Sequence, residues 1–197
     1  MKYISIIFFI LGLGFIGYSS YQIWDSKSEQ KAALQRAEQL VTNKEREDVE
    51  ANTGPILFKP EVGEEIGLLS LPKIDATLPI VEGVDEDELK KGVGHYAGTS
   101  FPSEQGQIVL SGHRDTVFRR MGELEIGDEL LVKMPYGDYT YIIEETEIVS
   151  ADDLTVIRPD HDEEMLTVTT CYPFRYVGDA PDRYIIYAKP KQDSNAS

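Results

Sequence analysis

The sequence predicts an all-β domain, closed or nearly closed into a barrel, behind an N-terminal membrane-spanning helix. Short runs of β-branched and aromatic residues, bounded by Gly, Pro or Asp, predict the strands. Helical periodicity is confined to two short segments of the same region, which disfavours a helical or α/β fold. Six to eight short strands within about 135 residues favour a barrel, because closure leaves no strand edge unpaired.

The membrane helix is predicted by the apolar segment from Ile4 to Trp24, which contains no charged side chain. At about 1.5 Å per residue this segment spans roughly 31 Å as a helix, close to the thickness of a bilayer's hydrocarbon core. A cleavable signal peptide is the alternative, but the segment exceeds a usual h-region and no Ala-x-Ala site follows it. Tyr18, Tyr21 and Trp24 resemble an interfacial aromatic belt. We therefore expect a retained anchor and a translocated C-terminal part.

The chain divides into four segments. Residues 1–24 are the predicted signal-anchor helix, and residues 25–55 mix acidic and basic side chains in a way that indicates a charged stalk or linker ending near Gly54-Pro55. Residues 56–191 form the β-rich domain, and residues 192–197 are a polar tail. Strands are expected at 66–74, 76–81, 107–112, 129–134, 139–149, 165–171 and 183–189, and short helices near 85–91 and 117–124.

The composition disfavours some partners and draws attention to one residue. The formal net charge is −16, so neither nucleic acid nor anionic lipid headgroups find an evident basic face on the domain. The chain has one cysteine, Cys171, and one cysteine cannot form an intrachain disulfide. Most free cysteines are inert packing residues. A free thiol kept outside the reducing cytosol nevertheless favours a functional role.

Cys171 ends one predicted strand, and Arg183 begins the next after a loop of eleven residues. Pro173, Gly178 and Pro181 prevent the first strand from continuing. If the two strands pair as antiparallel neighbours, Cys171 and Arg183 lie at the same end of the ladder.

Three histidines are candidates for an acid or base beside the thiol. His113 follows the apolar strand that starts at Gln107, and Gly112 beside it permits close approach or an unusual φ. His95 lies in a Gly-rich connection and is the second candidate. His161 lies in an acidic turn and is interpreted as solvated.

Cysteine, histidine and arginine are a combination suited to nucleophilic catalysis. The thiolate is the nucleophilic form of cysteine, and a nearby imidazolium or guanidinium favours it. His113 could protonate a leaving amine, and Arg183 suits the oxygen that becomes negative in a tetrahedral intermediate. The combination points to acyl transfer through a thioester at Cys171.

Each of these residues also has an ordinary structural interpretation. A cysteine at a strand end is often core filler, a histidine after a strand is often a satisfied structural residue, and Arg183 could form a surface ion pair with Asp182 or Asp179. One cysteine and three scattered histidines lack the paired spacing of a zinc site. The sequence therefore predicts no metal and no cofactor.

Two segments and one arginine of this sequence resemble the sortase family. Residues 111–115, Ser-Gly-His-Arg-Asp, resemble the family's Gly-His segment, and residues 167–171, Thr-Val-Thr-Thr-Cys, resemble its Thr-Leu-x-Thr-Cys signature. Arg183 matches the position of the family's arginine. The resemblance extends from about Gly67 to Lys189, and one departure is Val168 in place of the signature leucine.

The resemblance implies an eight-stranded sortase-type barrel with short helices and a membrane-anchored cysteine transpeptidase of a Gram-positive-type cell. Such enzymes cleave a Leu-Pro-x-Thr-Gly-like sorting signal after Thr, hold the surface protein as a thioacyl enzyme, and transfer it to a cell-wall amine of peptidoglycan. By position, Cys171 is the nucleophile, His113 the general acid and base, and Arg183 the group that stabilises substrate and oxyanion. Ser111 and Thr170 are weaker candidates for substrate contact.

Residues 94–99, Gly-His-Tyr-Ala-Gly-Thr, most resemble class D within the family. The single N-terminal anchor and the absence of an Asp-Pro-aromatic lid motif disfavour a pilin-polymerising class, and no calcium site is recognisable. Two alternatives stay open at this stage. One is a cysteine protease with water as the acceptor, and the other is a non-catalytic, membrane-tethered binding barrel in which Cys171 is packed.

Overall fold

The computed structural model describes residues 2–47, 58–158, 161–176 and 178–192. Two α-helices are present in this part of the chain, α1 (Lys2–Glu47) and α2 (Glu86–Lys91), with 3₁₀ turns at Pro72–Ile74 and Met121–Glu123. The strands are β1 (Glu65–Leu71), β2 (Ala76–Glu82), β3 (Val93–His95), β4 (Gln107–Ser111), β5 (Glu129–Met134), β6 (Gly137–Ser150), β7 (Met165–Tyr172) and β8 (Asp182–Pro190).

The eight strands close into a barrel in the order β1-β2-β3-β4-β7-β8-β6-β5. The pairs β2–β3 and β4–β7 are parallel, and the other neighbours are antiparallel. The all-β, closed, eight-stranded barrel predicted from the sequence is thus confirmed. The parallel β4–β7 pair matters most for the site, because it joins segments that are far apart along the chain.

The barrel interior is filled by apolar side chains contributed from the strands and from the loop after β4. Burying a side chain the size of Leu or Ile stabilises the fold by about 1.5–3 kcal/mol relative to leaving it exposed. The fully buried set includes Leu69, Ile80, Ile108, Leu110, Phe118, Leu130, Tyr141, Ile143, Leu166, Val168 and Ile186. The core therefore depends on the same alternating runs that predicted the strands.

The structure differs from the sequence-based elements in three places. Strand β3 was not expected, because it is three residues long and has Gly94 at its centre. A Cβ on Gly94 would lie 2.4 Å from the carbonyl oxygen of Gly83, so the close approach of two chain segments requires glycine. Residues 72–74 form a 3₁₀ turn after β1, and the 117–124 segment has only the short turn Met121–Glu123 in place of a helix.

Helix α1 is continuous from the apolar segment into the charged one, and it is long and apolar enough to cross a membrane. Its second half packs on β1, where Ala33 and Ala37 are fully buried. Arg36 Nε donates a 2.9 Å hydrogen bond to Glu65 Oε1, and Nη2 donates to the same oxygen. Gly54-Pro55, the expected end of the stalk, lies outside the described residues.

The Arg36–Glu65 pair is electrostatically coupled. Burial of Glu65 opposes its ionisation, but the hydrogen bonds from Arg36 and from its own backbone, with the charges of Arg36 and Lys91, lower the pKa of this carboxyl below its ordinary value. The hydrogen bond to Glu65 raises the pKa of Arg36 in turn. The pair thus ties α1 to the first strand of the barrel.

Candidate active site

Cys171 is the penultimate residue of β7 and lies directly across from Arg183 on β8. A Pro- and Gly-containing loop joins the two strands, and the Tyr172–Pro173 peptide at its start is cis. Cys171 is a free, half-buried thiol. The arrangement agrees with the strand-end argument made from the sequence.

His113 reaches the same end of the barrel from the other side of β7. Strand β4 runs parallel to β7, with Ser111 opposite Thr169. Beyond the last paired residues, the Gly112 N–H donates to the Thr169 carbonyl at 3.2 Å, and the Thr170 hydroxyl donates to the Gly112 carbonyl at 2.6 Å. The backbone immediately before His113 is therefore fixed to the backbone immediately before the cysteine.

The turn that carries His113 is shaped by Phe118. The Phe118 N–H donates to the His113 carbonyl at 3.0 Å, which folds the loop back over the barrel end. A Cβ on Gly112 would lie 2.5 Å from the buried Phe118 ring and 2.8 Å from Val117. Glycine is needed here for close approach.

The three side chains share one cavity of about 280 Å³. Its wall continues from the reactive end of β7 into an apolar region formed by β4, β8 and the loop after β6. Among the lining residues are Ser111, His113, Cys171, Arg183, Val109, Leu154, Val156, Ile157 and Ile185. A peptide in this cavity could contact the thiol, the imidazole and the guanidinium together.

The Arg183 guanidinium is hydrogen-bonded to the backbone just before it. Its Nη1 donates to the carbonyl oxygens of Asp182 at 3.0 Å and Ala180 at 3.4 Å. In the described part of the chain, no hydrogen bond joins this guanidinium to Cys171, and the His113 imidazole has none either. Both groups are thus available to a substrate after a side-chain rotation.

Arg114 is a functional candidate that the sequence reasoning missed. Its Nη1 donates to the Pro173 carbonyl at 3.2 Å and its Nη2 to the Gly178 carbonyl at 2.8 Å. The guanidinium also lies 5.8 Å from the centroid of the Tyr176 ring, within cation–π range. Arg114 therefore fastens the His113 loop to the loop between Cys171 and Arg183, and its place beside His113 was the only signal in the sequence.

The other candidates occupy different environments. Ser111 lines the cavity and is half-buried, whereas Thr170 is buried and its hydroxyl is used by Gly112. His95 is buried, 2.7 Å from Glu82, and stacked on Phe101.

His161 lies at the opposite end of β7, where Nδ1 is 2.7 Å from the Glu163 carbonyl oxygen. Over the described ranges, no three His, Cys, Asp or Glu side chains form a group that could hold a metal ion.

Known proteins resemble this chain in sequence. A family model described as "Sortase domain" matches residues 69–191. The chain is 49% identical to Sortase D of Bacillus subtilis (strain 168) over 195 residues, covering 95% of this chain and 98% of that one.

Solved structures of similar fold include two from Clostridium perfringens. The Clostridium perfringens Sortase D5 transpeptidase has a TM-score of 0.68 and 28% identity, covering 84% of this chain and 99% of its own. Clostridium perfringens sortase C with the C-terminal cell wall sorting motif has a TM-score of 0.62 and 25% identity, covering 84% and 89%.

Proposed function

Because this chain belongs to the sortase family of cysteine transpeptidases and is of class D type, we propose that it cleaves a Leu-Pro-x-Thr-Gly-like sorting signal after Thr. The surface protein is then held as a thioester on Cys171 and transferred to a cell-wall amine. The placement of Cys171, His113 and Arg183 around one cavity is the observation that carries this proposal. The similar sortase C structure, which was solved with a C-terminal cell wall sorting motif, supports the substrate class.

Each side chain has one role in the proposed reaction. The Cys171 thiolate attacks the Thr carbonyl carbon, and the C–N bond to Gly breaks as His113 gives a proton to the leaving amine. Arg183 stabilises the oxygen that carries negative charge in the tetrahedral intermediate. An acceptor amine then gives its proton to His113 and displaces the thiolate, so that atoms and charge balance.

We further propose that α1 anchors the enzyme in the cell membrane with the barrel on the outer side. The apolar segment of α1 has the length and composition for this. Sorting signals and cell-wall amines both occur outside the cytoplasm, which supports the same orientation.

The test uses the full chain in vesicles with a quenched Leu-Pro-x-Thr-Gly peptide and an added amine. Cys171→Ala should abolish turnover and leave no acyl adduct by mass spectrometry. His113→Ala should lower kcat by about 10²–10⁴-fold, as expected for loss of a general acid–base. His161→Ala is the matched control and should retain activity, because His161 lies at the far end of β7. Turnover by Cys171→Ala would reject the proposal.

The amine separates transpeptidation from proteolysis. A transpeptidase should form a ligated product that increases with amine concentration. A hydrolase should give only the carboxylate product. Hydrolysis without ligation at any amine concentration would favour the protease alternative.

A further inference from the structure

The arrangement of α1 beside the barrel fixes which end of the barrel is nearer the apolar segment. A crevice of about 510 Å³ is shared by Val41 and Thr42 of the helix with Met134 and Gly137 of the barrel. At the other end, Ile23 and Lys27 share a crevice with the β1–β2 connection and with the loop after His113. The catalytic end of the barrel is therefore the end where the apolar segment emerges.

The height of this end above the membrane follows from helix geometry. Lys27 lies three residues beyond Trp24, which ends the apolar segment, and is therefore about 4.5 Å further along the helix axis. A headgroup layer is about 5–8 Å thick on each side of the hydrocarbon core. A tilt of roughly 20° changes this height by only a few per cent. Residues that share a crevice with Lys27 thus lie at headgroup depth if α1 spans the bilayer.

The crevice at this depth, which we term the basic crevice, has a volume of about 760 Å³. Apolar side chains form its floor, namely Ile23, Ile74, Ala76, Leu78 and Val117. Lys27, Arg119 and Arg120 line it together with a single carboxylate, Asp115. Apolar side chains beside Lys27 and Arg119 match a phosphate group attached to acyl chains, and Arg120 contributes less because it is paired with Glu123.

The two arginines of the basic crevice are held in place by nearby groups. Arg119 donates to the Asp115 carbonyl oxygen, with Nη2 at 2.6 Å. Arg120 donates to the Ile74 carbonyl oxygen at 2.7 Å and forms an ion pair with Glu123. Because Glu123 neutralises Arg120, Lys27 and Arg119 against Asp115 leave a small local excess of positive charge in the lining, in contrast to the net charge of −16 of the whole chain. It is why the overall acidity does not describe this surface.

A second crevice adjoins the basic crevice along α1 and has a different charge. The neighbouring crevice is lined by Asp25, Glu29, Glu86, Asp87 and Asp115 against Lys90 and Lys91, with His113 at its wall. Phosphate is therefore favoured in the basic crevice over its acidic neighbour. The difference gives the barrel a preferred face toward the bilayer.

We propose that the basic crevice binds the phosphate headgroup of a bilayer phospholipid, so that the catalytic end of the barrel rests on the membrane surface. This inference depends on the proposed anchoring by α1, and it adds a defined orientation and a lipid site. The Ala33 and Ala37 contact and the Arg36–Glu65 pair hold the helix in the register that creates the crevice. Substrates that are themselves tethered to the membrane would then reach Cys171 from the membrane side.

The orientation is tested on the full chain carrying Cys171→Ala in phosphatidylcholine vesicles. A fluorophore on Thr116→Cys, in the basic crevice, should be quenched by lipids with a nitroxide headgroup. The same label on Asp138→Cys should not be quenched, since the Thr42 level that it adjoins is about 22 Å further from Lys27 along the helix. Ala33→Glu with Ala37→Glu should abolish the quenching, while Gln35→Glu with Gln39→Glu, exposed on the same helix, should preserve it.

The phosphate site is tested by the phospholipid that stays bound after extraction into mild detergent. Lys27→Gln with Arg119→Gln should lose this lipid, and Lys133→Gln with Lys189→Gln, the control, should keep it. Equal quenching at positions 116 and 138 in an inserted chain would overturn the orientation, and equal lipid retention by the two double variants would overturn the phosphate site. If alkaline carbonate releases the chain from vesicles, the anchoring fails and the orientation with it, while the peptide assay still reports the transpeptidase activity separately.

Discussion

The hydroxyl of Thr170 donates a 2.6 Å hydrogen bond to the carbonyl of Gly112, although 58 residues separate them. This bond crosses from β7 to the end of β4 and joins the residue before Cys171 to the residue before His113. The thiol and the imidazole are thereby positioned through neighbouring backbone. Their distance is set by sheet geometry rather than by the flexibility of two loops.

Thr170→Val should weaken this link without changing the shape of the side chain. Leaving a buried carbonyl unsatisfied costs about 1–3 kcal/mol, and kcat should fall because His113 is less well placed. Thr170→Ser should restore most of the stability and most of kcat. Urea unfolding and peptide cleavage check this, and a Thr170→Val enzyme with wild-type kcat and stability would contradict it.

Gly112→Ala should disturb the turn that carries His113. The added Cβ would lie 2.5 Å from the Phe118 ring, and overpacking of this kind costs about 1–3 kcal/mol. The double variant Gly112→Ala with Phe118→Leu should recover part of the activity because the ring is removed. Gly98→Ala tests the opposite case, since a Cβ there meets nothing within 4 Å but the residue has a φ of +90°. Gly98→Ala should therefore lower the free energy of unfolding and leave kcat unchanged.

Arg114→Gln should loosen the loop between Cys171 and Arg183. The hydrogen bonds from Arg114 to the Pro173 and Gly178 carbonyls are partly exposed. We therefore expect transition-state stabilisation to fall by about 1 kcal/mol, which is roughly fivefold in kcat/KM. This is less than the range for buried hydrogen bonds to charged groups. The effect should fall mainly on KM, with faster amide hydrogen exchange in this loop. Lys189→Gln is the control, because Lys189 forms ion pairs with Glu144 and Glu163, away from this loop. Unchanged loop exchange in Arg114→Gln would remove the basis for this assignment.

The Arg36–Glu65 pair should make the docking of α1 sensitive to acid. Because the folded-state pKa of Glu65 is lowered, its contribution is fully present above the ordinary value of 4.5 and is lost as the pH falls through the lowered folded-state value. Glu65→Gln should therefore reduce the free energy of unfolding at neutral pH, and its difference from wild type should shrink under acid conditions. Denaturation of the full chain in detergent at several pH values measures this. A difference that is independent of pH would show that the pair contributes no charge-dependent stability.

Much of the fold could be predicted from the sequence because the strands alternate β-branched and aromatic residues between Gly and Pro breaks. Seven of the eight strands have such a run. Strand β3 does not, since Gly94 is there to admit the Gly83 carbonyl and leaves no periodicity to detect. The packing of α1 on the barrel was also not predictable, because Arg36 and Glu65 are 29 residues apart and neither is unusual locally.

The candidate site was accessible to sequence reasoning because Cys171, His113 and Arg183 each stand at the end of a predicted strand. Strand ends on one side of a barrel meet, so their convergence could be expected before the register was known. Their catalytic roles stay predictions. The role of Arg114 could not be predicted, because its partners are backbone carbonyls of a distant loop. Every residue has a backbone carbonyl, so the sequence does not show which ones accept a hydrogen bond.

The parallel pairing of β4 with β7 has a consequence for how activity is acquired. The chain must complete the long β5–β6 excursion before β7 can take its place beside β4, and β8 must follow to bring its arginine. Loop closure of this length carries an entropic cost that only later contacts repay. A nascent or truncated chain that lacks β7 or β8 therefore lacks Cys171 or Arg183. Substrate turnover should begin only after these last strands have paired.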